Sequence, residues 1–129
     1  MYGWPRPAGG RLSCELIMIV RLWKGRTRPE LADAYQRHVA TKVFPKLKAL
    51  DGYVRGRVLR RDVAGHVEFL VMTEWASVRA IEAFAGDTPD RAVVEPAARA
   101  VLADFDAQVD HFEVVEESGG TRAGGPEND

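Results

Sequence analysis

The chain has 129 residues, and its 18 Lys and Arg residues almost balance its 19 Asp and Glu residues. A formal net charge of −1 argues against nucleic acid as the main partner, because such proteins usually carry a basic surplus. The longest apolar run, Leu16 to Val20, is far too short to cross a membrane. The single Cys14 cannot form an internal disulfide. We therefore expect one cytoplasmic domain with no membrane segment.

The two ends of the chain differ in composition from its middle. Residues 1–13 are rich in Gly and Pro, and residues 118–129 read SGGTRAGGPEND. Such segments bury too little apolar surface to offset the entropy of ordering them. We expect disordered tails at 1–13 and 118–129, and a folding unit at 14–117.

The first predicted elements are a strand and a long helix. Glu15 to Trp23 is rich in Ile, Leu, Val and Met, and Gly25 should close this strand. The T-x-x-E segment Thr27–Glu30 has capping-box spacing and predicts a helix running to about Leu50, with a kink caused by Pro45. Its inward face recurs every four residues and comprises Leu31, Tyr35, Val39, Val43 and Leu47.

A hairpin and a second helix follow. Residues 52–62 and 66–75 alternate as strands around a turn at Ala64 and Gly65. The alternation places Tyr53 on the arginine-rich side of its strand. Ser77 is the predicted N-cap of the second helix and Gly86 its stop.

The last predicted elements complete a β-α-β-β-α-β order. Asp90 to Phe105 should form one or two short helical turns, and residues 108–116 a fourth strand. This order predicts an α+β, ferredoxin-like fold with an antiparallel four-stranded sheet and both helices on one face. Both sheet faces are nonetheless apolar in strands one and three. We therefore expect a homodimer packed sheet against sheet.

Several segments together resemble the antibiotic biosynthesis monooxygenase family of the dimeric α/β-barrel superfamily. They are IMIVRLWKGRT, the YQRHV segment, ALDGYVRG, EFLVMTEWAS before AIEAFAG, RAVVEP and VDHFEV. The resemblance spans about residues 17–116. It implies the dimeric ferredoxin-like fold and a range of functions that includes cofactor-independent quinol oxidation and haem degradation.

The sequence departs from the residue sets that the resemblance implies. Family members that oxidise aromatic polyketides use a Trp, an Asn, a Tyr and an Arg; here Trp75 is kept, but Val71, Ile81 and Glu95 stand in the other places. The haem-degrading branch uses an Asn, a Trp and a His. Here the corresponding positions hold Arg21 or a neighbour, Phe84 and about Val94, which disfavours haem degradation by that set.

Two histidines and one tryptophan are the candidate catalytic residues. His38 lies on or beside the sheet-facing side of the first helix, and His111 lies within the fourth strand. Either could act as a base near neutral pH, and either could instead be structural. Trp75 would form a flat wall for an aromatic ring or simply fill the core. His66, beside the hairpin turn, is assigned to the surface.

The expected substrate contacts are Tyr35, Val71 and Arg99. Tyr35 lies one turn before His38, and Val71 shares the side of strand three that faces the helices. Arg99 would hold a carboxylate or phenolate, or form a surface ion pair. The group Arg55, Arg57, Arg60 and Arg61 is interpreted as protection of an edge strand rather than as an anion site.

We predict no metal and no cofactor, since no phosphate-loop, dinucleotide, zinc-peptidase, thiol-redox or serine-hydrolase motif occurs. The favoured function is a cofactor-independent monooxygenase-like enzyme acting on a small hydrophobic, aromatic or polyketide-type molecule. The alternative is a non-catalytic small-molecule binder or accessory homodimer, and the third hypothesis is a haem-binding protein.

Overall fold

The computed structural model describes residues 18–86 and 88–120. The strands are β1 (Ile19–Thr27), β2 (Tyr53–Val63), β3 (His66–Trp75), β4 (Asp104–Phe105) and β5 (Asp110–Glu113). The α-helices are α1 (Ala32–His38), α2 (Phe44–Lys48), α3 (Val78–Ala85) and α4 (Pro96–Arg99). A 3-10 turn (Pro29–Leu31) precedes α1, and a π turn (Val39–Val43) joins α1 to α2.

The sheet is antiparallel, with the order β2-β3-β1-β4, and β5 also pairs with β1. β4 pairs with β1 at Gly25 and Arg26, whereas β5 pairs with it from Ile19 to Leu22. Both short strands therefore share one edge of β1 and together replace the single fourth strand predicted at residues 108–116. The predicted α+β, ferredoxin-like fold is confirmed.

All four helices contribute to the core on one face of the sheet. One cluster packs Tyr35, Val39 and Ala98 against Val67 and Phe69. The apolar face predicted for the first helix is thus the buried one. A second cluster is centred on the fully buried side chains of Trp75 and Ile81, with Ile19, Leu47 and Ala80 around them.

The first strand and its connection to the helix differ from the prediction. β1 continues to Thr27, past the predicted end at Trp23, because β3 pairs with it as far as Val67. Gly25 lies inside the strand rather than closing it. Thr27 is fully buried and does not cap the helix; the N-cap is Arg28, without a side-chain cap, and Glu30 pairs with Arg28 instead.

The helix from Ala32 onward is interrupted where the kink was predicted. The π turn ends with the Phe44 N–H bonded to the carbonyl of Val39, one residue further back than in an α-helix. Pro45 follows at once, lacks an N–H, and its ring crowds the carbonyl of Thr41, so the backbone widens by one residue. The helix ends at Lys48, close to the predicted end.

The hairpin and the α3 cap form as predicted. β2 and β3 pair from Val63 and His66 outward across Ala64 and Gly65, which both have positive φ, as a two-residue hairpin turn requires. The Ser77 side chain accepts a hydrogen bond from the Ala80 N–H at 3.1 Å.

Tyr53 faces the other side from the one predicted. A register shift between Tyr53 and Arg55 inserts one residue into β2, so Tyr53 turns toward the helices and meets the Trp75 ring edge-on at 5.2 Å.

The arginines of β2 lie on an edge strand, and three of them contact carboxylates. Arg55 pairs with Glu74, Arg61 with Glu68, and Arg60 with Asp33. These contacts agree with the edge-strand interpretation. The tail predicted at 1–13 lies outside the described residues. Of the second predicted tail, residues 118–120 are described and have no regular structure.

Candidate active site

A cavity of about 110 Å³ lies between the helices and the sheet. β1 and β3 form its floor, and α1, the π turn, α2 and α3 supply walls, together with the segment before α4. Its lining is mostly apolar. The polar or charged members are Arg21, Thr73, His38, Lys46 and Glu95, with Tyr35, Trp23, Val71, Phe84, Val94 and Val109 among the others.

His38 lies at the end of α1, where its imidazole meets a carboxylate from the opposite wall. Its Nε2 atom is buried and has no hydrogen-bond partner among the described residues; Glu95 Oε1 is 3.6 Å away. Lys46 Nζ holds the other oxygen of Glu95 at 2.5 Å. The hydrogen bond from Lys46 is the main reason that the Glu95 pKa is lowered, and His38 adds to this electrostatically. Glu95 is therefore an anion beside His38.

Arg21 occupies the centre of β1 and is buried. Its guanidinium donates to the carbonyls of Pro89 and Arg91, and it lies 3.0 Å from His111 Nε2. Because a guanidinium only donates, Nε2 of His111 is the acceptor and the imidazole is neutral. Burial, and then the nearby Arg21 charge, lowers the pKa of His111 to about 4. Burial also lowers the pKa of Arg21, to about 10.

Trp75 is not among the lining residues of the cavity, but it packs against two side chains that are. Its ring stacks on Phe84 at 5.6 Å, and its indole N–H donates to Thr73 Oγ1 at 2.9 Å. Phe84 and Thr73 both line the cavity. Trp75 therefore fixes the positions of two lining side chains.

The structure brings some predicted site residues together and separates others. Tyr35, His38 and Val71 line the cavity. His111 is not among the lining residues, but its Nε2 atom lies 3.0 Å from Arg21, which is. Arg99 is exposed, with its Nε donating to the Val94 carbonyl at 3.3 Å and its guanidinium over the Phe105 ring. His66 is exposed, as assigned.

Tyr35 is buried, and burial raises its pKa well above the usual range of a phenol. Its ring meets Phe69 edge-on at 4.9 Å. The hydroxyl therefore remains protonated near neutral pH and suits packing or hydrogen bonding rather than service as a base.

Sequence reasoning missed Arg21, Thr73 and Lys46 as members of the site. Arg21 carried a signal, since it is the one charged residue on the side of β1 that also carries Ile19 and Trp23.

Among the described residues, no three His, Cys, Asp or Glu side chains are grouped so as to hold a metal ion. Within residues 18–86 and 88–120, no helix has the length and apolarity needed to span a bilayer. The absence of a cofactor and the cytoplasmic location stay predictions.

Solved structures share this fold at low sequence identity. A candidate antibiotic biosynthesis monooxygenase from Bacillus cereus matches with a TM-score of 0.56 and 14% identity, over 80% of this chain and 98% of that one. A protein of unknown function from Nitrosomonas europaea has a TM-score of 0.60 and 14% identity, over 83% and 98%. The haem degrader MhuD of Mycobacterium tuberculosis, solved with two haems in its active site, has a TM-score of 0.53 and 22% identity, over 78% and 99%.

These likenesses define the class of the domain as α+β and ferredoxin-like, of the type found in antibiotic biosynthesis monooxygenase structures. The predicted resemblance is confirmed at the level of fold. No protein-family model and no curated protein sequence matches the chain.

Proposed function

We propose that this protein is a cofactor-independent, monooxygenase-like enzyme in which His38 takes a proton from a small hydrophobic aromatic molecule. The observation that carries the proposal is the buried Nε2 atom of His38, which lines the cavity and has no hydrogen-bond partner among the described residues. An unsatisfied buried polar atom costs about 1–3 kcal/mol. A hydroxyl group on a bound ligand would remove that cost.

Glu95 and Lys46 complete the arrangement. The carboxylate lies 3.6 Å from His38 Nε2 and is held from its other side by Lys46. A fixed anion at this distance favours the imidazolium that forms once the proton has moved. His38 is preferred to His111 as the base, because Nε2 of His111 already accepts from Arg21 and its pKa is lowered to about 4.

In the oxygenase version, the phenol O–H proton passes to His38 and the electron-rich phenolate reacts with molecular oxygen. One oxygen atom enters the ring, which loses two hydrogens and becomes a quinone, and the other oxygen atom leaves as water. The protein supplies the base, the apolar surroundings and the orientation of the ring. The same residues also suit proton transfer alone, as in an isomerisation.

The cavity volume favours a single aromatic ring. At about 110 Å³ it is of the same order as the ~150 Å³ apolar cavity known to bind benzene. A haem is far larger, so we do not propose haem as the ligand even though MhuD shares the fold.

The test is oxygen uptake with a panel of small phenols and quinols. We expect turnover by the unaltered protein and loss of turnover in His38→Gln, while urea denaturation should show that the variant still unfolds cooperatively. His66→Gln is the matched control, since His66 is exposed at the hairpin turn. Unchanged turnover in His38→Gln would refute the assignment of the base.

A non-catalytic binder is the second candidate function. The observation that favours it is the apolar character of Val71 and Ile81, which replace polar groups that the family resemblance implies; Val71 lines the cavity and Ile81 is fully buried. Saturable binding of a single-ring phenol without product formation would support this candidate against the enzyme.

We also propose that the protein is a homodimer packed through the open face of the sheet. That face carries apolar side chains at its centre, namely Val20, Leu22, Leu59, Leu70, Met72 and Phe112. Leu59 is 44% and Phe112 is 55% exposed in the single chain. Sedimentation at micromolar concentration should give the mass of two chains, and Leu70→Lys should give one. A monomeric unaltered protein would refute the proposal.

A further inference from the structure

The cavity contains a buried cation. Arg21 is only 5% exposed and lines the cavity. Its described acceptors are all uncharged: the Pro89 and Arg91 carbonyls and the neutral ring of His111. Burying a guanidinium without an anion is costly, and a bound anion removes that cost.

The charges of the cavity wall do not balance. The lining includes two basic side chains, Arg21 and Lys46, and one carboxylate, Glu95. Lys46 and Glu95 pair with each other at 2.5 Å. Among residues 18–86 and 88–120, no carboxylate forms an ion pair with Arg21, and Asp90 acts on it only over a longer range. One positive charge is therefore left without a contacting anion in this part of the chain.

The Arg21 guanidinium also has N–H groups that are not used in the described hydrogen bonds. Its hydrogen bonds to Pro89, Arg91 and His111 use three of the five N–H groups of an arginine side chain. The described residues thus leave two N–H groups for a ligand. A planar carboxylate or phenolate is well matched to such a fork of donors.

We propose that the cavity selects small aromatic molecules that carry an anionic oxygen, and that Arg21 is the residue that recognises this oxygen. The proposal names the substrate class of the proposed function and in that respect rests on it. This anionic oxygen belongs to a second group on the ring, besides the hydroxyl that gives its proton to His38, and either a carboxylate or a phenolate would supply it. His111 is a positioning residue for Arg21, which it helps to hold without adding a second positive charge.

The first experiment uses the unaltered protein and two ligands of nearly equal shape. Benzoate and benzamide are titrated separately by isothermal calorimetry at neutral pH. We expect benzoate to bind on the order of tenfold more tightly, as a charge-assisted hydrogen bond would provide. Equal affinities, or no saturable binding of either ligand, would overturn the proposal without the need for any variant.

The second experiment replaces Arg21 by Met and by Lys. Arg21→Met should abolish the preference for benzoate over benzamide, while Arg21→Lys should keep part of it. Arg99→Met is the matched control, because Arg99 is exposed and does not line the cavity. A preference that survives in folded Arg21→Met would overturn the proposal. If that variant does not fold, the comparison of the two ligands in the unaltered protein decides.

Two further titrations separate the possible anions and counter-ions. Binding of 4-nitrophenol, compared above and below its ionisation point with 4-nitroanisole as the neutral control, shows whether a phenolate is accepted as well as a carboxylate. Asp87, the residue after Gly86 in the sequence, lies outside the described residues. If Asp87→Asn creates a benzoate preference that the unaltered protein lacks, the anion of Arg21 belongs to the chain and the proposal is overturned.

Failure of this inference is distinguishable from failure of the proposed function. His38→Gln should stop turnover but leave the benzoate preference intact, since His38 does not contact Arg21 in the described hydrogen bonds. If His38→Gln keeps both turnover and the benzoate preference, the assignment of His38 as the base is rejected and the anion site at Arg21 is retained. If His38→Gln loses turnover but the unaltered protein shows no benzoate preference, the anion site at Arg21 is rejected and His38 is retained as the base.

Discussion

The burial of His111 makes the stability of this protein depend on pH below neutrality. The residue is 6% exposed, and its Nε2 atom lies 3.0 Å from the Arg21 guanidinium. Burial is the main cause that lowers its pKa from 6.5 to about 4; the positive charge of Arg21 adds to the effect, and Asp90 opposes it. The folded protein therefore resists protonation of this ring far more than the unfolded chain does.

The sign follows from which state binds the proton first. Above the unfolded pKa of 6.5 both states are neutral, and the contribution to stability is fully present. As the pH falls from 6.5 toward 4, only the unfolded chain gains the proton, so stability is lost across that window. Each unit of difference in pKa corresponds to about 1.4 kcal/mol. We therefore expect a loss of about 2 kcal/mol between about pH 7 and about pH 5.

Urea denaturation at a series of pH values measures this loss. His111→Gln should remove most of the pH dependence between about pH 7 and about pH 5, while His66→Gln, the exposed control, should keep it. This window lies above the range in which Glu68 and Glu95, whose pKa values are lowered, begin to titrate. If unaltered protein and His111→Gln lose stability in parallel, the reasoning about His111 is refuted.

Three further substitutions test the packing around the site by the free energy of unfolding in urea. Gly25→Ala places a methyl group 2.8 Å from the Trp23 ring, so we expect a loss of about 1–3 kcal/mol. Ser77→Ala removes the acceptor for the Ala80 N–H and should cost about 1 kcal/mol. Phe84→Ala removes the ring stacked on the buried tryptophan and should cost about 3 kcal/mol.

Each of these substitutions has a control. Gly119→Ala should change stability by less than about 0.5 kcal/mol, because nothing lies within 4 Å of the added methyl group. Ser77→Thr should retain most of the cap, and Phe84→Leu should lose less than Phe84→Ala. A destabilisation by Gly119→Ala equal to that of Gly25→Ala would contradict the account of β1, and a neutral Ser77→Ala would show that the cap contributes nothing.

Elements specified by neighbouring residues could be predicted from the sequence. The hairpin depends on Ala64 and Gly65, and the start of α3 on Ser77, so the deciding residues adjoin the elements they shape. The overall fold could then be predicted from the order of these elements, because a given order of strands and helices is compatible with few arrangements.

Features decided by distant partners could not be predicted. Thr27 has the sequence context of an N-cap, but pairing with Val67 keeps it in β1 and buries it. The bulge that turns Tyr53 toward the helices depends on how β2 aligns with β3. In both cases strand pairing, and not the conformational preference of the local sequence, decides the conformation.

The candidate site shows the same division. Helical periodicity placed Tyr35 on the inward face and His38 on or beside it, and strand alternation placed Val71. The pairing of Lys46 with Glu95 joins residues far apart in sequence, so no local pattern reveals it. The neighbourhood of Arg21 and His111 likewise depends on the pairing of β1 with β5.

The π turn between α1 and α2 sets the direction in which the side chains of α1 point relative to α2. Each residue of an α-helix turns the chain by about 100° and advances it by about 1.5 Å. The single extra residue held at Val39–Val43 therefore sets the angular phase of everything before it relative to α2. Deleting one residue there would remove the extra residue and rotate Tyr35 and His38 by about a quarter of a turn relative to α2, away from the cavity. The chemistry of the cavity thus depends on the residue count of a helix as much as on the identity of its side chains.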